Sequence, residues 1–462
     1  MPRPSLAELD RRGRATRRQV GRRSHAACPP ADHRDDPVAI LAAQDVSRAP
    51  ELLGLRYARM AASPFTFLRG SAAVMAADLV LTPTTSLTTQ LCGDAHLDNF
   101  GTFASPEGRL VFDVNDFDET MRGSFEWDLK RMSASVVVAA RDRGFDAELA
   151  DDAVASCLTR YRAEMRGHRD ADLLEVWHAS IDEHTVLEAL RDLVEHGELS
   201  AGLLTATEKV FTKARQRTSK HAAQQLTEVV DGQVQMREAP PVLSRDVLPD
   251  DRRELATRFL AGYVASLPAH QRGLLERFEV VDVARRVVGV GSVGTRCYVI
   301  LLHGRDEEDP LVLQVKEAAP SVLEPHLAGP GPRPHGHRVV EGQRTMQTVS
   351  DIFLGWSTAV GPDGVERDYY VRQFRNMKGG IDLTDLDGDG FVAYARLCGH
   401  VLADAHARGG QPAELAGYLG SSDGFIEAMI GFAHAYADTT ERDHQLLLDA
   451  IRTGRVPHEP GS

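Results

Sequence analysis

Two acidic segments, Cys92-Gly93-Asp94-Ala95-His96-Leu97-Asp98-Asn99-Phe100-Gly101 and Val111-Phe112-Asp113-Val114-Asn115-Asp116-Phe117-Asp118-Glu119, are joined by one turn, Ser105-Pro106-Glu107-Gly108. Apolar residues flank both segments. The runs Phe100–Phe103 and Leu110–Val114 around a Pro-Glu-Gly turn predict a hairpin. Any fold that buries these flanks crowds the carboxylates together. Carboxylates this dense repel one another and resist desolvation, so a cation or a reacting proton is needed to justify them.

Gly-Asp-x-His-x-x-Asn followed by Asp-Phe-Asp is the donor set of magnesium-dependent phosphoryl transfer. One carboxylate takes the proton of the attacking hydroxyl, an Asn oxygen holds metal, and a second carboxylate ties metal to the phosphates.

At 462 residues the chain is long enough for two core-bearing units or one bilobal enzyme. No apolar run approaches the roughly eighteen residues of a membrane helix, so no membrane partner is expected. A formal charge of -14 argues against nucleic acid as a partner. The charge is uneven: residues 1–23 hold eight arginines against Glu8 and Asp10. With no apolar stretch behind them, residues 1–37 read as a disordered basic arm, not a secretion signal. Five widely spaced cysteines without a CxxC pair argue against a disulfide framework or a zinc site and point to a reducing cytoplasm.

Apolar spacing is helical from about 38 to 81. Leu87–Leu91 reads as a strand, and Phe125-Glu126-Trp127-Asp128-Leu129 opens an apolar helix. Residues 146–275 read as mostly helical. Near 277 the period falls from 3.6 to 2, and strands are expected at 278–283, 296–302, 311–315 and 368–374. A helix is expected from Val339 to Ser350, and helices return at 391–408 and 422–452.

The β-rich section contains Val288-Gly289-Val290-Gly291-Ser292-Val293-Gly294-Thr295 between two strands. Glycines that open a helix would suit a dinucleotide site; between strands they suit a hairpin whose backbone approaches phosphates closely. The next strand, Leu311 to Ala318, ends near Lys316, which could reach the phosphates. Glu341 is the expected carboxylate partner of Lys316, with Glu317 and Glu324 as rivals.

On these motifs the chain is identified as resembling the bacterial family called domain of unknown function 2252, over roughly residues 50–450. Through that family it resembles the protein-kinase-like superfamily, especially the aminoglycoside-phosphotransferase branch. The resemblance implies Asp94 as catalytic base, Asn99 as metal ligand, and Asp116 as the metal-chelating aspartate, with Asp113 left open beside it. Asp128 would brace the catalytic loop. Gly289, Gly291, Ser292 and Gly294 would cover the phosphates, with Lys316 and Glu341 as the lysine–glutamate pair.

The order of parts departs from the superfamily, because the catalytic loop precedes the glycine loop. The apolar helix ending Leu402-Ala403-Asp404-Ala405-His406-Ala407-Arg408 resembles the one that normally leads into the catalytic loop. The expected fold is therefore α+β, bilobal and circularly permuted. A helical lobe with the catalytic hairpin would span 38–275, a nucleotide-covering β-rich lobe 276–378, and completing helices 379–455. The expected activity is ATP- and Mg2+-dependent transfer of a phosphoryl group to a hydroxyl of a small-molecule acceptor. The alternatives are an inactive nucleotide-binding module and a metal-dependent phosphohydrolase. Asp385-Leu386-Asp387-Gly388-Asp389-Gly390 imitates a calcium loop but has Arg396 at its twelfth position, so it reads as a turn before a helix.

Overall fold

The computed structural model describes residues 4–196, 201–327, 329, 331–361 and 363–459. It is an α+β protein. Helices Pro37–Asp45, Leu53–Ala61, Pro64–Gly70 and Ala72–Leu79 form the first helical run. Ser63 and Thr66 cap the third of these reciprocally, and Pro64 fills its first turn.

Four short strands follow: β1 (Thr88–Leu91), β2 (Phe100–Ala104), β3 (Leu110–Val114) and β4 (Met121–Ser124). β2 and β3 pair antiparallel with Phe100 opposite Val114, giving the expected hairpin. β1 and β4 pair with Leu91 opposite Met121. The two acidic segments are thereby brought to one place. Helix Glu126–Asp142 follows. It packs with Ala147–Asp170, Gly388–Gly409 and Gly424–Arg452 around a core that includes Val137, Leu158, Leu402 and Phe432.

Within the stretch 146–275, read as mostly helical, the chain also forms a hairpin of β5 (Thr227–Val230) and β6 (Gln233–Met236) and the short strand β7 (Leu243–Ser244). Asp231-Gly232 makes the hairpin turn with both residues at positive φ. The strands β8 (Glu279–Arg286), β9 (Cys297–His303), β10 (Pro310–Glu317), β11 (Gly355–Val360) and β12 (Glu366–Gln373) complete a six-stranded sheet of order β11-β12-β10-β9-β8-β7. All its pairings are antiparallel.

β10 is buried on both faces. Leu311, Leu313 and Val315 point to one core with Tyr263, Ile300 and Val371, and Val312 to another with Val299 and Phe374. Alternation puts Gln314 and Lys316 on the Val312 side.

Three expectations need correction. The basic arm is folded where it is described. Ser5 caps helix Leu6–Thr16. Arg17 Nε donates to Tyr418 O at 2.8 Å and Arg22 to Leu419 O at 2.5 Å, covering the carbonyl end of helix Pro412–Leu419. Arg34 bridges Asp78 and Asp443. Charges that composition assigns to solvent are thus used against carbonyls and carboxylates. Second, the helix expected at 339–350 runs His335–Met346, because Asp368 Oδ2 accepts from His335 N at 2.7 Å and satisfies its free first turn. Third, β11 adds a strand to those expected: its buried positions are Gly355 and Ser357 while Val360 is exposed, so its sequence carries no apolar alternation. The acidic turn behaves as expected: Asp387 caps helix Gly388–Gly409 by accepting from Gly390 N at 2.8 Å.

Candidate functional site

The loop of residues 92–99 is held from beneath. Asp128, in the first turn of helix Glu126–Asp142, accepts from Cys92 N at 2.8 Å and Gly93 N at 3.0 Å, and lies 3.2 Å from His406 Nε2. Gly93 sits at φ +84°, and a Cβ there would lie 2.2 Å from Glu119 O, so only glycine fits. One turn further along the helix, Arg131 donates Nε to Asp94 Oδ1 at 2.8 Å. Its other nitrogen reaches the same oxygen at 2.7 Å. Asp94 Oδ2 takes no part in these contacts and has His96 Nε2 at 3.7 Å. Burial lowers the His96 pKa, so this ring leans to its neutral form.

Asn99 ties the two acidic segments together. Its Nδ2 donates to Asp94 O and to Asp116 O, both at 3.1 Å. Its Oδ1 accepts no hydrogen bond among the described residues. Asp116 lies 3.6 Å from Lys316 Nζ. Burial opposes ionisation of Asp116, but Lys316, Arg372 and Lys378 outweigh it and hold the carboxyl well below the usual range.

Asp113 points elsewhere. It stands 3.7 Å from Arg408 and accepts from Val114 N at 2.8 Å. Burial pushes its pKa up to about 6 against the pull of Arg408. The structure brings Asp94, Asn99 and Asp116 together and leaves Asp113 outside that group.

Lys316 is buried in the middle of the sheet. Its Nζ is 2.7 Å from Asp118 Oδ2, and Tyr370 OH donates to Asp118 Oδ1 at 2.7 Å. Burial disfavours the ammonium, yet Asp116 and Asp118 raise its pKa well above the ordinary value. The expectation that Glu341 pairs with Lys316 is wrong. Glu341 is exposed and meets Arg344 at 3.2 Å on its own helix. Gly342 is pressed against Thr120, where a Cβ would lie 2.4 Å from its side chain, so position 341 is turned outward. The helix contributes Arg338 in its place. That side chain donates to Thr120 O at 2.7 Å, Asp118 O at 2.8 Å and Ala319 O at 2.9 Å, fixing the turn that carries Asp118.

The glycine loop reaches this place. Gly289 and Ser292 line one cavity with Lys316, Asp116, Arg372 and Lys378, about 370 Å³ in volume. Gly289 and Gly294 have φ of +66° and +91°. Gly291 lies against Arg69, whose guanidinium pairs with Asp98 at 2.8 Å. The loop is fixed to the first helices by Arg59, which donates to Gly289 O at 2.6 Å. Arg217, Arg286 and Arg375 also line the cavity, so six cationic side chains face the single carboxylate of Asp116. Such a cavity suits a polyanion. The oxygens able to hold a cation here are the Asp116 carboxylate, which lines the cavity, and the Oδ1 of Asn99, whose amide is bonded to the Asp116 backbone. Lys378, crowded by burial and by Arg372, has its pKa lowered to about 7.

Sequence reasoning missed Arg131, Asp118 as the lysine partner, Tyr370, Arg372 and Lys378. Arg131 was legible, lying three residues from Asp128 on the same helix face. Tyr370 and Arg372 sit on β12, and only the pairing of Lys316 with Tyr370 across the sheet reveals them.

Fold and site thus define an α+β protein with a cationic, glycine-bordered cavity beside an acidic loop. The chain belongs to the family described as uncharacterized protein conserved in bacteria, domain of unknown function 2252, which matches residues 48–450. No curated protein and no solved structure matches it. Among the described residues no helix is long and apolar enough to cross a membrane.

Proposed function

We propose that this protein transfers a phosphoryl group from ATP, with Mg2+, to a hydroxyl of a small-molecule acceptor, on a circularly permuted, bilobal kinase-like fold. The observation that carries the reading is one cavity bordered by Gly289, Ser292 and Lys316 and by Asp116, which lies 173 to 200 positions before them, with Asn99 joining Asp116 to Asp94. Permutation is supported by the end of helix Gly388–Gly409. There the His406 carbonyl accepts from Thr89 at 2.9 Å, beside the strand that enters the catalytic loop.

In this mechanism Asp94 Oδ2 takes the acceptor's hydroxyl proton while Arg131 keeps the carboxylate oriented. Lys316, itself held by Asp118, and Arg372 meet phosphate oxygens. The amides of the glycine loop close over the same phosphates. Asn99 and Asp116 would hold Mg2+, which when bound neutralises charge on the transferring phosphoryl group. The acceptor class rests on the resemblance to aminoglycoside phosphotransferases.

The test is the thermal midpoint of the protein with and without millimolar ATP and Mg2+. Ligand at a hundred times its dissociation constant adds about 2.7 kcal/mol. A magnesium-dependent rise that Lys316→Ala abolishes supports the reading. No rise with ATP or GTP sinks it.

A further inference from the structure

A second cluster of chemistry-bearing side chains lies behind the catalytic loop, between helices Ala147–Asp170 and Gly388–Gly409. Glu164 and His168 are four apart on the first helix, and His400 and Asp404 four apart on the second, so each pair shares a face. These two helices pack face to face, and the four side chains meet at their seam. His400 Nε2 lies 3.6 Å from Glu164 Oε2 and 3.8 Å from Asp404 Oδ2. The ligand atoms of Glu164, His400 and Asp404 all lie within 4.8 Å of one another.

These separations are too long for hydrogen bonds. They are close to what a shared ion requires, since ligands about 2.0–2.2 Å from a tetrahedral zinc lie roughly 3.3–3.6 Å apart. The outer atoms are already used. Arg160 binds the other oxygen of Glu164 at 2.7 Å. His168 Nε2 holds the other oxygen of Asp404 at 2.7 Å. Each carboxylate therefore has one oxygen anchored by a neighbour and the second aimed at His400, the arrangement in which outer partners orient metal ligands.

We propose that Glu164, His400 and Asp404 bind a divalent transition metal of the zinc type, with His168 as the group that positions Asp404. One imidazole and two carboxylates favour zinc over magnesium or calcium, which take all-oxygen sets. Three protein ligands leave a fourth position. His400 and Arg160 also line a cavity of about 330 Å³ with Leu190, Leu397 and Tyr394. Arg160 opposes the ion: its NH2 lies 3.3 Å from His400 Nδ1 and favours the proton on Nε2. Metal binding requires the other tautomer, so this contact is given up while the Arg160–Glu164 pair is kept.

The site is independent of the phosphotransfer reading. Titration calorimetry of the full chain with Zn2+ alone, in a buffer that does not chelate, tests it. One site per chain is expected, with no comparable binding of Mg2+. His400→Ala and Glu164→Gln should each abolish it, and His168→Gln should weaken it roughly 10–100-fold, as loss of an outer partner does. Glu164→Gln is nearly isosteric and its side chain is 22% exposed, so it decides the matter if His400→Ala does not fold. Wild-type protein that takes up no zinc, or zinc uptake unchanged by Glu164→Gln, overturns the proposal.

Discussion

Lys316 Nζ and Asp118 Oδ2 stand 2.7 Å apart, joining the centre of the sheet to the acidic turn that follows β3. The bond spans 198 residues and crosses from the sheet to the helical part of the molecule. Lys316 is only 3% exposed, so its ammonium depends on this partner and on the more distant Asp116. Removing one member of a buried pair strands the other charge and costs about 3–5 kcal/mol. Asp118→Ala should therefore lower the unfolding free energy by that order, read as a lower urea midpoint, and abolish nucleotide-dependent stabilisation. Glu341→Gln, at an exposed position, should change stability by less than about 0.5 kcal/mol and leave the nucleotide shift intact. Equal losses for both variants would restore Glu341 as the partner.

The two candidate metal aspartates separate in the same way. Asp116→Asn should remove the magnesium dependence of nucleotide binding, because Asp116 faces the cavity and Asp113 faces Arg408. The burial that raises Asp113 to about 6 has a definite sign. Between its ordinary value and 6 the native state binds more protons than the unfolded chain, so this group's contribution falls as pH rises through that window. Asp113→Asn should flatten the pH dependence of the urea midpoint between 4 and 6 and keep magnesium-dependent binding. The reverse pattern would move the metal site to Asp113.

Much of this was readable in advance because it is local. The hairpin Phe100–Val114 is set by alternation and a Pro-Gly turn, and the sheet strands by a clear change of period. The brace at Asp128 lies one helical turn from the residues it orients. What failed was anything decided by which face of an element meets its neighbour. Glu341 occupies the right helix, but the close approach of Gly342 to Thr120 rotates Arg338, not Glu341, toward the site. The arm failed for a related reason. A run of arginines reads as solvated charge until the carboxylates and helix-end carbonyls that receive it are known, and those lie some 400 residues away.

Lys378 gives the cavity a pH response. Its pKa, lowered to about 7, means that near neutrality part of the free protein carries this lysine uncharged. A bound polyanion favours the charged form, so binding takes up a proton, and affinity should fall as pH rises from about 6 to 8. Phosphate groups of the ligand gain charge over the same interval and act in the opposite sense. The comparison with Lys378→Arg isolates the lysine, since arginine keeps its charge throughout. Calorimetry of Mg2+–ATP binding at pH 6 and 8 should show a steeper loss for the wild type than for the variant. Identical slopes would remove Lys378 from the anion site.

Arg34 tests whether the folded arm matters to the body of the protein. Its guanidinium makes paired bonds to Asp78, at 2.7 and 2.8 Å, and to Asp443, at 3.0 and 2.6 Å. Tyr436 OH completes the cluster by donating to Asp78 Oδ2 at 2.7 Å. Both carboxylates are nearly inaccessible, so Arg34→Ala leaves two buried charges with one neutral donor between them. The expected cost is about 3–5 kcal/mol, read as a lower urea midpoint. Arg34→Lys keeps the charge but not the planar fork, and should fall between the two. Deleting residues 1–34 should cost at least as much as Arg34→Ala, because the caps from Arg17 and Arg22 go with it. A truncated chain as stable as the full one would return the arm to the role of a solvated tail.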